Sequence, residues 1–483
     1  MTPSRSGAGV TADPAHAGHA LAWSTFNAVL ARFGTMAVGV VLARVLGPEA
    51  FGTFAVAFVA LTAILSFNEL GVSLAIVRWR DDPAQIAPTV ATISLASSVV
   101  FTAAGMIMAE KFSLLMGDPA AAGLVRLLCL CVLINGAVAA PAALMQRRFM
   151  QRERMVVDQV NTWVGAVISL VLALLGLGAA SLVVGRLAGA SLSALLFIRY
   201  SPARFHLGWS RSHVRPLLLF GMPLAGASMV TFLVGFVDQI VVGAALGSVV
   251  LGYYVLAANL ANLPLSLFSQ PLRSVAPALF ARTQTDPRRM ASDFQHITRL
   301  VLAVVLPMCA VLSVRAEDVV RFIYGAQWVP AAWAFRWLIL LAACRVFFEL
   351  AYDFLVVLGR SAQILVIQVV WISLLVPTLW FAVRQKGIAS AAMGLVLVSV
   401  LASVPMYLTQ LRRAGIQLRS LTRNVAVPLG TALAMAAVMS QLPIVLQTPA
   451  ARLVAAAVLG AGVLLLLLAH FRADLSVFRR FEV

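Results

Sequence analysis

Charged residues are scarce in this chain. They make up 11% of its 483 residues, against roughly 25% in soluble globular proteins. Hydrophobic residues make up 61%, and the mean hydropathy is +0.96. A soluble core cannot hide that much apolar surface, so the composition excludes an ordinary soluble protein. It predicts that lipid is the solvent for most of the chain.

Acidic residues are the rarer charged type, with 18 Asp and Glu against 36 Lys and Arg. In a membrane protein an excess of Lys and Arg indicates cytoplasmic loops, so the net charge of +18 does not point to a nucleic-acid partner. The six histidines show no ligand spacing, and no glycine-rich phosphate loop precedes a lysine. The cysteines all lie inside apolar runs, at Cys129, Cys131, Cys309 and Cys344. Their positions predict buried thiols and no disulfide. Without metal-ligand spacing or a phosphate loop, we also expect no metal, no cofactor and no enzymatic activity.

Fourteen hydrophobic segments follow the first twenty residues, each near the roughly 20 residues that a helix needs to cross a bilayer. They span 21–45, 53–76, 88–109, 121–144, 156–176, 180–199, 217–246, 249–271, 294–314, 331–357, 362–383, 387–411, 424–442 and 450–471. Backbone polar groups in hydrocarbon must pair within their own segment, so we predict an all-α polytopic membrane protein with about 14 transmembrane helices. Residues 1–20 carry no compact apolar core followed by a cleavage site, and we expect a disordered cytoplasmic tail there.

The basic residues indicate the orientation. With the N-terminus inside, 24 of the 36 Lys and Arg fall in cytoplasmic segments, 7 in outer loops and 5 within helices. An even number of helices then places both ends in the cytoplasm, including a second tail at 472–483. No loop is long enough to hold a soluble domain.

A short motif occurs twice, 200 positions apart. Leu46-Gly47 and Gly52 reappear as Leu246-Gly247 and Gly252, each time between two long apolar runs. A second pair of related sequences surrounds Gly117 and Gly325. The repeat predicts an N-lobe of helices 1–6 over 21–200 and a C-lobe of helices 7–12 over 217–415, related by a pseudo-two-fold axis along the membrane normal. Residues 420–471 form an extra pair, helices 13–14. Two lobes around a central cavity are typical of a transporter.

The chain resembles the Wzx-type polysaccharide flippases of the multidrug/oligosaccharidyl-lipid/polysaccharide exporter superfamily. The residues that carry the resemblance are LARVLGPEAFGTFAVA at 42–57, Asn68-Glu69-Leu70-Gly71, Pro141 to Arg148, Asp238 to Gly243, Phe322 to Gly325, Gln327-Trp328 and Pro330-Ala331. The resemblance implies translocation of a polyprenyl-pyrophosphate-linked oligosaccharide from the cytoplasmic to the periplasmic leaflet of the bacterial inner membrane, without nucleotide hydrolysis. This step would serve synthesis of exopolysaccharide, capsule or O-antigen. The implied partners are membrane lipid and a polysaccharide polymerase with its export machinery.

Five arginines at membrane depth are candidates for binding the pyrophosphate or sugars: Arg32, Arg126, Arg186, Arg336 and Arg345. A guanidinium binds phosphate oxygens in a bidentate manner and stays charged at any working pH. Each has a structural alternative. Arg32 either binds substrate or pairs with Glu69, and the side chains of Arg126, Arg186 and Arg336 either line a cavity or extend to the headgroups.

Four carboxylates are candidates for binding a coupling ion or for structural pairing: Glu69, Asp238, Glu349 and Asp353. Arg345, Glu349 and Asp353 recur every fourth residue and form one helical stripe. Arg345 and Glu349 would neutralise each other, which leaves one carboxylate for a proton or sodium ion, or else the stripe is a buried polar contact. Asp238 either binds the ion or hydrogen-bonds Gln239 and a facing hydroxyl.

Two other functions fit parts of the pattern. A cation-coupled multidrug exporter of the same superfamily would share the two lobes, but its cavity should be acidic and apolar rather than rich in arginine. A membrane enzyme that polymerises lipid-linked sugars usually needs a sizeable outer loop, and every outer loop here is short. Asp81 and Asp82 precede Pro83 and predict a turn with a helix cap rather than a metal site.

Overall fold

The computed structural model describes residues 14–68, 71–79, 81–203, 205–282, 286–445 and 448–471. Within these ranges the side chains of residues 14–33, 267–279, 287, 386, 442–445 and 468 lie outside the description. Every regular element in the described ranges is helical, and no strand occurs among them. The predicted all-α class is therefore confirmed.

Sixteen α-helices account for nearly all of the described chain. They are α1 (Pro14–Leu65), α2 (Ser73–Arg78), α3 (Ala87–Leu115), α4 (Ala121–Arg147), α5 (Gln151–Leu174), α6 (Ala179–Tyr200), α7 (Arg211–Leu246), α8 (Ser248–Arg282), α9 (Pro287–Val314), α10 (Ala316–Tyr324), α11 (Ala331–Val357), α12 (Ser361–Lys386), α13 (Ile388–Val398), α14 (Val404–Arg413), α15 (Leu418–Val445) and α16 (Pro449–His470). Within the described residues, twelve helical segments are long and apolar enough to cross a bilayer. The chain is a multi-pass membrane protein.

The first two predicted segments, 21–45 and 53–76, are separated in the structure as expected, and the second of them is interrupted. α1 runs through Gly47, whose φ of 73° and ψ of 176° are not helical, so two helices meet there. Glycine adopts a positive φ without steric cost, and the following Pro48 suits the first turn of the second helix. The segment expected over 53–76 is interrupted: α1 ends at Leu65, and a turn leads to the short α2.

α11 is absent from those twelve segments although its 27 residues are long enough. It carries four charges, at Arg336, Arg345, Glu349 and Asp353. Much of its surface is nevertheless buried, and it packs on α8, α9 and α13. Because protein surrounds it, α11 can hold charges that a lipid-facing helix cannot.

The helices form two groups. In the N-terminal bundle, α4 packs on α1, α3 and α6, and α5 packs on α6. In the C-terminal bundle, α11 packs on α8, α9 and α13, and α12 packs on α7 and α13. α15 and α16 pack on α9, outside the second group.

The two bundles meet mainly along α1, which packs on α8. One hydrophobic cluster crosses this boundary and joins Ala43 and Met116 of the first bundle to Val242, Leu251 and Trp328 of the second. α7 crosses the boundary at its other end, where Leu217 packs among apolar residues of α2, α3 and α4. The bundles therefore contact each other at both ends of α7.

Two smaller sequence expectations are confirmed. The Asp82 Oδ1 atom accepts a hydrogen bond from the Ala84 N–H at 3.0 Å and caps a short 3₁₀ turn at Pro83–Gln85. Three of the cysteines are buried, Cys344 is half-buried, and all four are free thiols.

Candidate functional site

A cavity of about 670 Å³ lies inside the C-terminal bundle, between α7, α11, α12 and the segment that joins α13 to α14. On α11, Arg345, Glu349 and Tyr352 face it, because side chains three and four positions apart share one side of a helix. On α12, Gln368 and Trp371 face it. Its size is within the range of small-molecule binding sites.

A π-helical turn at Ser399–Ser403 also lines the cavity. Its two serines line the cavity and are only 1% and 3% exposed. The Trp371 Nε1–H donates a hydrogen bond to Ser399 Oγ at 3.3 Å, so the indole has a fixed position against this turn. π-helical turns interrupt the regular backbone pattern and occur frequently at functional sites.

The carboxylate of Glu349 faces the cavity with one oxygen that is unpaired within the described part of the chain. Its Oε2 atom is buried and has no hydrogen-bond partner among the described residues. The structure describes no nitrogen–oxygen contact within 4.0 Å between Arg345 and Glu349, although both line the cavity. Asp353, one turn further along α11, is buried. Whether these groups bind an ion or pair structurally stays a prediction.

Asp238 on α7 is buried beside the cavity. Its Oδ2 atom accepts a hydrogen bond from the Tyr254 hydroxyl at 2.8 Å, and its Oδ1 atom accepts one from the Gln239 N–H at 2.9 Å. Arg345 also interacts electrostatically with this carboxylate. The structural alternative for Asp238, a bond to Gln239 and to a facing hydroxyl, is therefore present in the structure.

Arg186 lines a smaller cavity, of about 220 Å³, inside the N-terminal bundle. Asp158, Asn135 and Asn161 are the other strongly polar residues around it. The neighbouring Asn68 is fully buried, and its amide donates to the Asn135 Oδ1 atom at 3.3 Å. The structure thus places Arg186 and Arg345 in separate cavities, one in each bundle.

Arg126 and Arg336 lie on exposed faces. A guanidinium nitrogen of Arg126 is 3.6 Å from the Glu110 carboxylate, and both side chains are more than half exposed. The Arg336 guanidinium lies 5.6 Å from the centre of the Trp333 ring. Neither of them lines a cavity with Arg345 in this conformation. Their predicted contact with substrate stays a prediction.

Two candidate residues fall outside the description. The backbone of Arg32 belongs to α1, but its side chain lies outside the described part, as does the whole of Glu69. The predicted choice between substrate binding and an Arg32–Glu69 pair stays open.

One end of the bundles is sealed by contacts that the sequence did not predict. The Arg44 guanidinium donates to the carbonyl oxygens of Phe322 and Ile323, and the Trp328 Nε1–H donates to the Ala43 oxygen at 3.0 Å. Trp328 is fully buried. We call this region, from Ala43 to Gly52 against 322–328 and the Gly247–Gly252 turn, the sealed end. It joins the first bundle to the second by hydrogen bonds and apolar packing.

An apolar groove of about 520 Å³ lies between α9, α10 and α16. In the part of the chain that the structure describes, Arg315 is the only charged residue that lines this groove. The Arg315 side chain is 7% exposed, and its Nη1 atom lies 3.2 Å from the Asp318 Oδ2 atom. The Arg452 Nη1 atom lies 3.4 Å from the Oδ1 atom of the same carboxylate. The groove is open along the outside of the C-terminal bundle and suits a hydrocarbon chain.

Sequence reasoning found Arg345 and Glu349 but missed the aromatic and hydroxyl groups around them. Tyr352 continues the helical stripe at three residues after Glu349, so that spacing could have identified it. No signal in the sequence links Trp371 or the serines of the π-helical turn to this stripe, because they come from other helices.

The sequence matches the family described as polysaccharide biosynthesis protein over residues 41–333. Among curated proteins, the succinoglycan biosynthesis transport protein ExoT of Rhizobium meliloti is 28% identical over 310 residues, which cover 63% of this chain and 62% of that protein. The lipopolysaccharide biosynthesis protein WzxC of Escherichia coli is 22% identical over 290 residues, which cover 60% of this chain and 59% of that protein. This chain therefore spans about three fifths of the length of each of these two relatives.

The fold is similar to that of the lipid II flippase MurJ in an inward closed conformation, with a TM-score of 0.77 over 92% of this chain and 99% of that one, at 13% identity. It is also similar to an inward-facing multidrug resistance transporter of the MATE family, with a TM-score of 0.60 over 80% of this chain and 95% of that one, at 16% identity. At these identities the likeness establishes the fold alone.

Proposed function

The chain belongs to the polysaccharide biosynthesis protein family, in its Wzx-type flippase branch, and we propose that it moves a polyprenyl-pyrophosphate-linked oligosaccharide from the cytoplasmic to the periplasmic leaflet for surface polysaccharide synthesis. The observation that carries the proposal is the family match over residues 41–333. A fold shared with a lipid II flippase agrees with it. The step is transport without covalent chemistry, so the chain acts as a carrier and not as an enzyme.

We propose fourteen membrane spans, with both termini in the cytoplasm. The break at Gly47 divides α1 into two spans, and the buried, charged α11 adds one to the twelve apolar segments. The N-terminal bundle then corresponds to an N-lobe at 21–200 and the C-terminal bundle to a C-lobe at 217–415. α15 and α16 form the extra pair at 420–471, and residues 1–20 and 472–483 are cytoplasmic tails.

In this orientation the sealed end faces the periplasm. The lobes alternate between this arrangement and one in which the seal opens and the headgroup reaches the outer leaflet. Arg44 and Trp328 bond only to backbone carbonyls across the boundary. Such bonds can be replaced by bonds to water when the seal opens, so neither state leaves a charge pair broken in hydrocarbon.

The headgroup needs compensation for its lost water, because an unpaired pyrophosphate in a low-dielectric interior would cost many kcal/mol. We assign Arg32 and Arg186 to this role, and we assign Arg345, which shares its cavity with the Glu349 carboxylate, to the sugars. The groove between α9, α10 and α16 holds the polyprenyl tail, since nearly all of its lining residues are apolar. The tail then stays in an apolar environment while the headgroup passes between the lobes.

The leaflet in which lipid-linked oligosaccharide accumulates tests the proposal. In a deletion strain, a flippase predicts accumulation of the unpolymerised lipid-linked repeat on the inner leaflet, whereas accumulation on the outer leaflet would indicate a polymerase. The rival function, a cation-coupled multidrug exporter, predicts increased drug sensitivity of that strain with unchanged polysaccharide. Unchanged polysaccharide export by the deletion strain would overturn the proposal.

A further inference from the structure

We propose that the cavity around Glu349 and Trp371 is a saccharide subsite that takes a neutral hexopyranose of the lipid-linked oligosaccharide. This inference rests on the proposed function and specifies which part of the substrate this cavity recognises. The cavity lies wholly within the C-terminal bundle, and its volume of about 670 Å³ can hold one or two sugar rings.

The charges of the cavity disfavour the pyrophosphate. Among the described residues that line it, Arg345 is the one cation, and the Glu349 carboxylate lies one helical turn away on the same wall. A pyrophosphate placed against Arg345 would therefore also meet a carboxylate of its own sign. A neutral ligand with several hydroxyl groups avoids this repulsion.

Glu349 presents what a hydroxyl-rich ligand needs. Glu349 lines the cavity, and its Oε2 atom is buried without a hydrogen-bond partner among the described residues, so the carboxylate has an acceptor that is not yet used. A buried acceptor without a hydrogen bond costs free energy, and a donor from a ligand would recover it. Sugar hydroxyls donate to a carboxylate and accept from a guanidinium, and the amide of Gln368 can do both.

The aromatic residues provide the other half of sugar recognition. A pyranose ring has an apolar face of C–H groups and a rim of hydroxyls, and aromatic rings pack against such a face while polar groups bind the rim. Trp371 and Tyr352 line the cavity, and Tyr407 stacks on Phe348 with ring centres 5.1 Å apart. The hydrogen bond from Trp371 to Ser399 fixes one of these faces before any ligand binds.

The π-helical turn supports a functional role independently of the side-chain chemistry. Its first and last residues, Ser399 and Ser403, both line the cavity, and Ser399 accepts the hydrogen bond from Trp371. π-helical turns are rare and are found frequently at functional sites.

Binding of three lipids to the purified protein in nanodiscs tests the inference. The probes are undecaprenyl pyrophosphate and the same lipid carrying one glucose or one galactose. We expect at least one sugar-bearing lipid to bind about tenfold more tightly than the bare pyrophosphate, since an aromatic face and a few hydrogen bonds are worth about one power of ten. Trp371→Ala and Glu349→Gln should each reduce that tenfold difference to about equal binding of the three lipids.

Trp380→Ala is the matched control. Trp380 lies on the same helix, is 47% exposed and packs against Arg384 rather than at the cavity. Trp371→Phe keeps an aromatic face and should retain most of the preference, and Glu349→Gln gives the readout if Trp371→Ala does not fold. Equal binding of all three lipids, or an unchanged preference in Glu349→Gln or in a folded Trp371→Ala, would overturn the subsite while the flippase proposal stands. Failure of the wild-type protein to bind any of the lipids would instead overturn the proposed function.

Discussion

Gly52 lies directly against the backbone of Ser248. A Cβ atom on Gly52 would come within 2.1 Å of the Ser248 carbonyl oxygen, and a Cβ atom on Gly252 would come within 2.8 Å of the Pro48 oxygen. The two contacts are reciprocal: Gly252 lies 200 positions after Gly52, and Ser248 lies 200 positions after Pro48. The repeated motif therefore packs against its own copy, as surfaces related by a two-fold axis do.

Gly52→Ala is expected to open the sealed end, since the added methyl group meets backbone that cannot move aside cheaply. Overpacking of this kind costs about 1–3 kcal/mol. Met36 lines a small cavity next to the sealed end. The reporter is Met36→Cys in a background from which the four native cysteines have been removed. The measurement is the rate at which this cysteine reacts with a membrane-impermeant thiol reagent. Gly39→Ala is the control, because nothing lies within 4 Å of a Cβ atom there. Equal labelling of both variants would contradict the prediction.

Trp328→Phe is expected to weaken the same seal more mildly. The ring volume is largely kept, but the hydrogen bond to the Ala43 oxygen is lost, which costs about 1 kcal/mol. The labelling rate of Met36→Cys should rise about fivefold. Trp333→Phe, at a tryptophan that is 57% exposed, is the matched control and should leave the rate unchanged.

Asp318→Asn is expected to destabilise the protein strongly. It leaves the buried guanidinium of Arg315 without its charge partner, and breaking a buried pair costs about 3–5 kcal/mol. Thermal unfolding in detergent measures the loss. Glu317→Gln removes the neighbouring carboxylate, whose pair with Arg321 is exposed, and should change the midpoint little. The prediction is wrong if the two variants unfold at the same temperature.

Tyr254→Phe should lower stability by about 1–3 kcal/mol, because a buried carboxylate loses the hydroxyl that donates to it. The free energy of unfolding, from a denaturant titration of the purified protein, reports the change. Tyr253→Phe serves as the control, since this neighbouring ring contributes packing against Trp328. An effect of the same size in both variants would show that ring packing, and not the bond to Asp238, is responsible.

Arg32→Ala is expected to abolish polysaccharide export while the protein still inserts into the membrane. Arg32→Lys should be partly active, because it keeps the charge and loses the fork that binds two phosphate oxygens at once. Export is measured as surface polysaccharide at equal protein abundance. Normal export by Arg32→Ala would remove this residue from the site.

The sequence predicted the membrane class, the helical fold and the family, because each depends on local features. Runs of apolar residues identify each span separately, and the repeated motif at Gly47 and Gly247 can be recognised in the amino-acid sequence itself. It did not predict the interruption after Leu65, although Ser66, Asn68 and Gly71 are residues typical of a turn. It also grouped five arginines as one set, whereas the structure places Arg186 and Arg345 in different bundles and Arg126 and Arg336 on exposed faces.

The sequence by itself determined that this chain resides in a lipid bilayer and that its apolar segments contain charged residues. Both conclusions depend on the hydrophobicity and charge of individual residues. Only the tertiary structure decided that Glu349 meets Trp371 and Ser399 in one cavity, and that Trp328 closes against Ala43. Those contacts join residues far apart in the chain, and the helix packing that creates them has no signature at the level of local spacing.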